Sequence, residues 1–371
     1  MSHTVVVLGG YGVFGSRIAA SLARHSELEL IVAGRDAARA SAFAATLGPR
    51  PIRSLAIDIT DTAQVRALLA QRLAVVIDTV GPFQDRNLDV AESCVERGIH
   101  YVDIADGRAR VAGVTALDAA ARRRDTLVVS GASTVPAVSS AVVADLVAPN
   151  ENVLEIDVGI SPGHSAPRGL ATARGVLSYC GHAIPSCAGR GRDYGWGGLG
   201  RHRYPVPVGR RWLSNVDTPE RAIWRDRYPA LRRGSVRAGL EIGVLHLGLS
   251  ALSRVVRAGL VRSLVPQATR FIRIADALDR FGSDMGAMHV RVVVCDPAGR
   301  VASRQATLVA ERGDGPQIPA APAAIVVKKL LAVPGYAPIA IRGARPCVDL
   351  FSISELMAEL ARCAIRYIVE R

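Results

Sequence analysis

The stretch Thr4-Val-Val-Val-Leu8-Gly-Gly-Tyr-Gly-Val-Phe-Gly15 decides the fold of this 371-residue chain. It consists of a short strand that is apolar throughout, a glycine-rich turn and the start of an alanine-rich helix. A strand without a polar face suits a parallel sheet that is covered on both sides. The segment therefore predicts the first strand–helix unit of an α/β domain.

Strand and helix alternate in the same way through the first 150 residues. Short strands rich in Val and Ile are predicted at Thr4–Leu8, Leu28–Ala33, Ser54–Ile57, Ala74–Asp78, His100–Ile104 and Thr126–Ser130. Helices rich in Ala and Arg are predicted at Phe14–His25, Ala37–Leu47, Thr62–Gln71, Arg86–Arg97 and Val111–Arg124. This alternation predicts a doubly wound parallel sheet with helices on both faces.

The pattern changes after Pro149-Asn150. The predicted elements are a strand at Val153–Ser161, a helix at Arg168–Cys180, a long loop at Gly189–Arg211, an apolar helical stretch at Ser235–Leu264, a hairpin of Ala287–Cys295 with Val301–Glu311, a Pro-rich segment at Asp314–Pro322, and helices at Ala323–Ala332 and Ser352–Val369. Ser352, with Glu355 after it, predicts an N-cap for the last helix. We therefore expect two domains: residues 1–150, and an α+β domain at 151–371 for substrate binding and dimerisation. The last helix is a candidate to pack back on the first domain.

The glycine-rich turn has the spacing Gly10-x-Gly12-x-x-Gly15. The first glycine permits a tight turn, the second lets a pyrophosphate approach the backbone, and the third allows close packing of helix on strand. The phosphates would then lie against free N–H groups at the N-terminus of the helix. The residues predicted to bind a dinucleotide here are Gly9, Gly10, Tyr11, Gly12, Val13, Phe14 and Gly15.

The end of the second strand indicates which dinucleotide. An NAD site usually has Asp or Glu there for the ribose 2′-hydroxyl, whereas this chain has Gly34-Arg35. The Arg35 guanidinium can form a charge-assisted fork with a 2′-phosphate, which favours NADP. Asp36 leaves an alternative open, because its carboxylate could turn back to the ribose.

The ends of the later strands complete the predicted coenzyme site. Asp58 and Ile59 are expected either to flank the adenine or, in the case of Asp58, to cap the helix from Thr62. The loop expected at the nicotinamide end consists of Val80, Gly81, Pro82 and Phe83. Ser133 follows the sixth strand and is expected at the same edge of the sheet.

Several motifs occur in an order typical of one family. They are Gly9–Gly15, Ala33–Asp36, Gly81–Phe83, Tyr101–Asp103 and Gly131–Pro136, with looser matches at Arg168-Gly169, Asn215–Asp217 and Gly282–Gly286. In these motifs the chain resembles the saccharopine dehydrogenase-like oxidoreductases. The resemblance implies a Rossmann domain followed by an α+β domain, with the nicotinamide between them. It also implies reduction or oxidation of imines or amines built on amino acids, or reduction of C=C bonds in lipid or polyketide chains.

Hydride transfer needs a proton donor or acceptor as well as a coenzyme. The candidates are Asp103 and Asp106, at the end of the fifth strand, and His164 and Tyr179 in the second domain. Each has an alternative structural explanation. Asp103 could cap a helix, His164 could lie in an exposed turn, and Tyr179 could belong to the core.

Several chemistries are excluded by the residues present. The only lysines are Lys328 and Lys329, and positions 324 and 325 are Ala and Ile, so the Tyr-x-x-x-Lys pair of short-chain reductases cannot form. Metalloprotease, P-loop and hydrolase motifs are absent, and the eight His residues show no ligand spacing, so no metal is expected. With six irregularly spaced cysteines, no membrane-length apolar run and no signal peptide, a cytoplasmic location is expected.

The net charge of +13 is confined to the second half of the chain. Residues 190–273 contain 17 Arg and five acidic residues, which indicates either a solvated surface or an anionic partner. Within this segment, Ser235–Leu264 combines apolar residues with Arg254, Arg257 and Arg262. We expect a core or dimer helix there, with a membrane-surface helix as the alternative. No nucleic-acid-binding module is recognisable.

The predicted function is therefore that of an NADP-dependent oxidoreductase acting on a C=N, C=O or C=C bond of a small or lipid-derived substrate. Two alternatives remain at this point. One is a non-catalytic NADP(H)-sensing protein, and the other is an enoyl reductase that works at a membrane surface on lipid chains. A homo-oligomer is expected in each case.

Overall fold

The computed structural model describes residues 2–84, 86–186 and 192–370, and it divides the chain into two compact units. Unit 1 comprises Met1–Val138 and Gln317–Phe351, and unit 2 comprises Ser139–Pro316 and Ser352–Arg371. The division thus lies twelve residues before the expected boundary at 150, and a later segment returns to unit 1.

The elements of unit 1 are numbered here along the whole chain. Its strands are β1 (His3–Leu8), β2 (Leu28–Gly34), β3 (Arg53–Ala56), β4 (Val75–Asp78), β5 (His100–Asp103), β6 (Leu127–Ser130) and β15 (Gly343–Pro346). Its helices are α1 (Gly15–Leu22), α2 (Ala37–Ala45), α3 (Thr62–Leu69), α4 (Asp89–Glu96), α5 (Arg108–Gly113), α6 (Asp118–Arg123) and α12 (Gln317–Leu330), with short turns of helix at Val114–Leu117 and Thr134–Val138.

The sheet of unit 1 has the order β3-β2-β1-β4-β5-β6-β15, and all its neighbouring strands are parallel. The order reverses between β1 and β4, which is the switch point where doubly wound sheets bind their ligands. Val5, Val6 and Val7 of β1 are completely buried, because helices cover both faces of the sheet. The predicted Rossmann architecture is therefore confirmed.

Unit 2 contains the remaining elements. Its strands are β7 (Asn152–Ser161), β8 (Ala183–Pro185), β9 (Arg192–Tyr194), β10 (Gly200–Arg203), β11 (Arg210–Asn215), β12 (Arg233–Ala238), β13 (Gly286–Cys295), β14 (Val301–Ala310) and β16 (Ile365–Glu370). Its helices are α7 (Ser139–Leu146), α8 (Leu170–Ser178), α9 (Glu220–Arg227), α10 (Gly243–Arg257), α11 (Ala268–Asp276) and α13 (Ile353–Glu359), with short turns at Val265–Gln267 and Asp279–Phe281.

A mixed sheet with the order β10-β11-β12-β7-β13-β14-β16 forms the centre of unit 2. Only β12 and β7 run parallel in it, and the predicted hairpin of β13 and β14 is confirmed. Helix α7 contacts β13 and β14, which is why the chain from Ser139 onward belongs to this unit. Within the described residues, no helix has the length and hydropathy that crossing a membrane requires.

The predicted helix at Ser352–Val369 is wrong in its second half. Ser352 and Glu355 form the expected capping box, but α13 ends at Glu359 and the chain then forms β16. Every residue of β16 pairs with β14. The β-branched and aromatic residues of this segment therefore serve an edge strand, a long-range pairing that helical spacing alone could not reveal.

Three other predictions need correction. The stretch Gly189–Arg211 is not one loop, because β9, β10 and the start of β11 lie in it; its first residues, 189–191, are outside the described part. The stretch Ser235–Leu264 begins in β12 and becomes helical only at Gly243. The helix predicted at Ala323–Ala332 begins six residues earlier, inside the Pro-rich segment, because α12 starts at Gln317. Pro319 is tolerated there since the first turn of a helix needs no N–H donor.

Candidate functional site

The glycine-rich turn lies between β1 and α1, against the neighbouring strand β2. The N–H groups of Gly9 and Gly10 both donate to the carbonyl oxygen of Ala33, at 2.8 and 3.1 Å. Gly9 has a φ of +73°, a conformation that favours glycine, and Gly12 N–H closes the turn onto the Gly9 carbonyl at 2.8 Å. The chain therefore reverses within a few residues and enters α1 at Gly15.

The space around the turn explains why its residues are glycines. A Cβ atom on Gly15 would lie 2.2 Å from the carbonyl oxygen of Gly9 and 2.7 Å from Oγ1 of Thr79. A Cβ atom on Gly10 would lie 2.8 Å from the Val7 carbonyl oxygen. Gly15 thus has the packing role that its place in the motif predicts.

The N-terminus of α1 has no side-chain cap, in contrast to the next two helices. Phe14 occupies its N-cap position and makes no capping hydrogen bond, whereas Asp36 caps α2 and Asp61 caps α3. The first N–H groups of any helix lack partners inside the helix and carry its positive dipole end. An anion could therefore take the place of the missing cap at α1, as a pyrophosphate does in dinucleotide sites.

The end of β2 presents cationic side chains to solvent. The Asp36 carboxylate accepts a hydrogen bond from Arg39 N–H at 3.0 Å, so it is engaged as the cap of α2. Arg35 and Arg39 are both exposed, and the Arg39 guanidinium lies 4.9 Å from the centre of the Tyr11 ring. Arg39 was not predicted from the sequence, although its place in the first turn of α2, four residues after Arg35, was the available signal.

Gly34, at the end of β2, leaves space for the side chain of Tyr11 from the glycine-rich turn. A Cβ atom on Gly34 would lie 2.4 Å from Cε1 of Tyr11, and the Tyr11 hydroxyl accepts a hydrogen bond from Asp36 N–H at 2.9 Å. The missing side chain thus lets the Tyr11 ring lie across the end of β2. Tyr11 in this way links the phosphate turn to the segment that carries the arginines.

Asp58 and Ile59 follow β3. The Asp58 carboxylate accepts hydrogen bonds from Thr60 N–H and Oγ1 at 2.9 and 2.8 Å, and these bonds, helped by the charge of Arg35, lower its pKa. The alternative that Asp58 caps the next helix is wrong, because Asp61 is that cap. Ile59 packs against the hydrophobic core of unit 1.

Two carboxylates are buried where β4 and β5 end side by side. Asp78 and Asp103 have no exposed surface. Arg86 Nη2 lies 2.8 Å from Asp78, and Arg110 Nε lies 3.0 Å from Asp103. The Tyr101 hydroxyl donates to Asp78 at 3.0 Å, and burial together with the two carboxylates raises the pKa of this phenol well above its usual value.

Asp103 is surrounded by donors. Besides Arg110, it accepts hydrogen bonds from Ser130 Oγ at 2.7 Å, Gly131 N–H at 3.0 Å and Ala105 N–H at 3.1 Å. It therefore ties the end of β5 to the end of β6. The alternative that it caps a helix is wrong, because α5 begins after Gly107.

The loop expected at the nicotinamide end is held by the same charged groups. Val80 N–H donates to Asp78 at 2.9 Å. The buried ring of Phe83 lies near two guanidinium groups, and its centre is 5.6 Å from Cζ of Arg86 and 5.4 Å from Cζ of Arg110. Gly81 and Pro82 are partly exposed between these anchored ends, as is Ser133 after β6. The buried network thus fixes the loop that the sequence predicts to be functional.

Residues 5–147 match a family model described as the saccharopine dehydrogenase NADP binding domain. Over these residues the chain is similar to the saccharopine dehydrogenase-like NADP-binding domains. The match confirms the resemblance seen in the motifs of the first domain, and it indicates an NADP-dependent oxidoreductase. No curated protein sequence matches it.

Solved structures show the fold of this saccharopine dehydrogenase-like chain. The apo saccharopine dehydrogenase (L-Glu forming) of Saccharomyces cerevisiae superposes with a TM-score of 0.68 and 14% identity over 100% of both chains. GenD2 from gentamicin A biosynthesis, in complex with NAD, matches 81% of this chain and 72% of its own at a TM-score of 0.40 and 13% identity. A Brucella melitensis 3-ketoacyl-(acyl-carrier-protein) reductase complexed with NADH matches 34% of this chain and 73% of its own, with a TM-score of 0.29 and 17% sequence identity. The fold assignment rests on the first of these.

Of the two proton-transfer candidates in the saccharopine dehydrogenase-like domain, Asp103 and Asp106, only Asp106 is exposed to solvent. Its carboxylate accepts a hydrogen bond from Gln84 Nε2 at 3.0 Å, which joins the loops after β4 and β5. Although the side chain is exposed, the surrounding protein desolvates the carboxylate enough to raise its pKa. A carboxyl with a raised pKa at this edge of the sheet is a candidate proton donor or acceptor.

The candidates in unit 2 have structural contacts. His164 is 7% exposed, so the exposed-turn alternative is wrong. Its N–H donates to Glu241 at 2.7 Å, and its Nε2 lies 2.9 Å from the carbonyl oxygen of Ala275. Tyr179, at the end of α8, packs half-buried against the hydrophobic cluster around Trp196, as its core alternative predicted.

A buried carboxyl in unit 2 was missed from the sequence. Glu220 begins α9 and has no exposed surface, and Ser139 Oγ donates to its Oε1 at 2.6 Å. Burial raises its pKa to about 7. An acidic residue after Thr218-Pro219 looks like an ordinary exposed helix start, so its burial could not be read from the sequence.

Replacing Glu220 with glutamine is expected to remove a pH dependence of stability. Because the folded-state pKa of about 7 lies above the ordinary 4.5, the folded chain binds the extra proton between these values. The stabilisation is complete below the ordinary pKa and is lost as pH rises toward 7, at up to about 1.4 kcal/mol per pH unit. Urea denaturation across this range should give a flatter profile for Glu220→Gln, while exposed Glu29→Gln follows the wild type. Equal slopes in all three would contradict the prediction.

Proposed function

We propose that this saccharopine dehydrogenase-like chain transfers a hydride between NADP(H) and a C=N, C=O or C=C bond of a small or lipid-derived substrate. The observation that carries the proposal is a difference between two helices: α1, at the phosphate turn, has no side-chain cap, whereas α2, at the end of β2, is capped by Asp36. The first leaves N–H groups for a pyrophosphate, and the second engages the Asp36 carboxylate as a helix cap, so that it is not left free as a ribose ligand.

The coenzyme would be held by backbone and cations. The turn from Gly9 to Gly15 and the N-terminus of α1 would bind the pyrophosphate. Arg35 and Arg39 would bind the 2′-phosphate, since both side chains are exposed at the end of β2 and the Arg39 guanidinium lies against the Tyr11 ring. When bound, NADPH supplies the hydride, and the residues of this chain orient it and handle the proton.

The proton-transfer role is proposed for Asp106. It is exposed, its pKa is raised, and it lies at the carboxyl end of the parallel sheet, where substrates of such sheets bind. Asp103 would act through its neighbours, because its oxygens are already engaged by four donors. His164 and Tyr179 remain weaker proposals, since the contacts of both suit a structural role. For unit 2 as a whole we propose substrate binding and homo-oligomer contacts.

The proposal is tested with stereospecifically deuterated NADPH and a panel of imine, ketone and enoyl substrates. Label should appear in the product. Arg35→Ala should weaken NADPH binding about 10- to 100-fold, the loss expected for a charge-assisted hydrogen bond, and leave NADH binding nearly unchanged. Asp106→Asn should keep NADPH binding and lower turnover, and exposed Arg72→Ala is the matched arginine control.

The outcomes separate the alternatives. Tight NADPH binding without label in any product would support an NADP(H)-sensing protein. Unchanged NADPH affinity in Arg35→Ala would contradict the assignment of the 2′-phosphate site. Activity confined to enoyl groups on long acyl chains would favour the lipid-chain reductase. Wild-type turnover in Asp106→Asn would exclude that carboxyl as the proton donor.

A further inference from the structure

One face of α10 is apolar and exposed, and further exposed apolar residues follow the end of the helix. Its exposed residues, called here the α10 face, are Val244, Leu247, Gly248, Ala251, Ala258, Leu260 and Val261. Val244 and Leu260 are each 78% exposed. Within α10, Val244, then Leu247 and Gly248, then Ala251 follow one another at intervals of three or four positions, which is the spacing of a single helix face.

The opposite side of α10 is anchored in unit 2. Leu249 and Val256 are buried in a hydrophobic cluster with Trp196, and the buried His246 Nε2 lies 3.0 Å from Ser214 Oγ in β11. The helix is therefore held in place by its inner side. Since the inner side of α10 is already packed, the exposed apolar residues on its outer face are not needed for the core of unit 2.

The segment that carries the α10 face is rich in positive charge. Residues 242–275 contain five arginines and no acidic residue. Arg254 and Arg262 are exposed beside the face, and Arg257 is exposed with its guanidinium 3.8 Å from the centre of the Tyr194 ring. The next acidic residues along the chain, Asp276 and Asp279, are both paired with Arg168. The cations near this face therefore lack acidic neighbours in their own segment.

We infer that the α10 face docks on an anionic lipid surface. Valine and leucine side chains can enter the boundary between headgroups and acyl chains, while arginines around them pair with phosphates. Each basic residue near such a surface strengthens binding by about 1 kcal/mol, which corresponds to about fivefold. The inference does not depend on the hydride-transfer proposal, because it uses no residue of the coenzyme site.

The same charges argue against a second copy of the chain as the occupant. A two-fold symmetric contact would place identical patches against each other, so the arginines of one copy would face those of the other. The segment has no acidic residue to offset that repulsion. An anionic bilayer, in contrast, complements both the apolar residues and the charge.

The test is co-sedimentation of the full chain with vesicles of phosphatidylcholine alone or with about one third phosphatidylglycerol. The chain should bind the anionic vesicles at low salt and bind them more weakly at high salt. Val244→Asp with Leu260→Asp should reduce binding at least about tenfold, because each carboxylate resists transfer out of water and repels the headgroups. Val301→Asp, at a residue 63% exposed on β14, is the matched control and should bind like the wild type.

The arginines are tested separately. Arg254→Glu with Arg262→Glu should abolish binding to anionic vesicles, while Arg123→Glu on α6 changes it little. Absence of binding at low salt would overturn the inference, as would equal binding to neutral and anionic vesicles. A dimer in sedimentation equilibrium that Val244→Asp with Leu260→Asp dissociates would also overturn it, since a second copy would then cover the face.

Discussion

Arg110→Met is expected to lower the free energy of unfolding of unit 1 by about 3–5 kcal/mol, the loss typical of breaking a buried ion pair from one side. The Arg110 side chain is 1% exposed, and its Nε lies 3.0 Å from the completely buried Asp103. Its Nη2 lies 3.9 Å from Asp78 and donates to the Tyr101 hydroxyl at 2.7 Å. Methionine fills much of the volume but leaves both carboxylates short of positive charge in a medium that solvates them poorly.

Urea denaturation of the purified variants measures this loss. Arg86→Met is the matched variant, and it should cost less, because the Arg86 side chain is 23% exposed and water can replace part of what it provides. Adding Asp103→Asn to Arg110→Met should recover part of the stability by removing one unpaired charge. If Arg110→Met cost less than about 1 kcal/mol, the network would be no stronger than a surface ion pair.

Gly15→Ala is expected to reduce NADPH affinity by about a hundredfold or more, equivalent to about 2.7 kcal/mol. The new Cβ atom would lie 2.2 Å from the carbonyl oxygen of Gly9, a separation that no real contact tolerates. Both atoms belong to or extend directly from the backbone, so no side-chain rotation can relieve the clash. The turn must open, and its N–H groups then lose the positions in which they would meet a pyrophosphate.

Titration of NADPH fluorescence, together with a thermal unfolding curve for each variant, tests this expectation. Gly248→Ala is the control, because nothing lies within 4 Å of its added Cβ atom and alanine suits the interior of α10. It should bind NADPH like the wild type. Wild-type affinity in Gly15→Ala would mean that the coenzyme does not bind at this turn.

The parallel sheet could be predicted almost completely from the sequence, because its inner strands are short and uniformly apolar. The strand at Gly343–Pro346 could not, since Gly-Ala-Arg-Pro has neither an apolar run nor alternation, and only its pairing with β6 makes it a strand. The misread end of the chain has the same cause. Ile365–Glu370 is a strand because β14 offers it an edge 55 or more residues away.

In the proposed coenzyme site, the geometry of the glycine-rich turn could be predicted, because local spacing determines it. The contacts among Asp78, Arg86, Tyr101, Asp103 and Arg110 could not be predicted, because these residues come from three separate segments. The role of Asp36 depended on one hydrogen bond to Arg39, which distinguishes a helix cap from a ribose ligand. That distinction is a matter of side-chain direction, which residue order alone does not determine.

The return of residues 317–351 to unit 1 has a consequence for synthesis on the ribosome. Helix α12 is buried along most of its length, and Lys328 Nζ donates to Ser21 Oγ of α1 at 2.8 Å, so a nascent chain ending near residue 138 lacks a wall of its first domain. Unit 1 therefore cannot complete its sheet and its helical cover until residues 139–316 of unit 2 and then residues 317–351 have been synthesised. A free-standing coenzyme domain would therefore have to be made by joining residues 1–138 to 317–351 through a short linker.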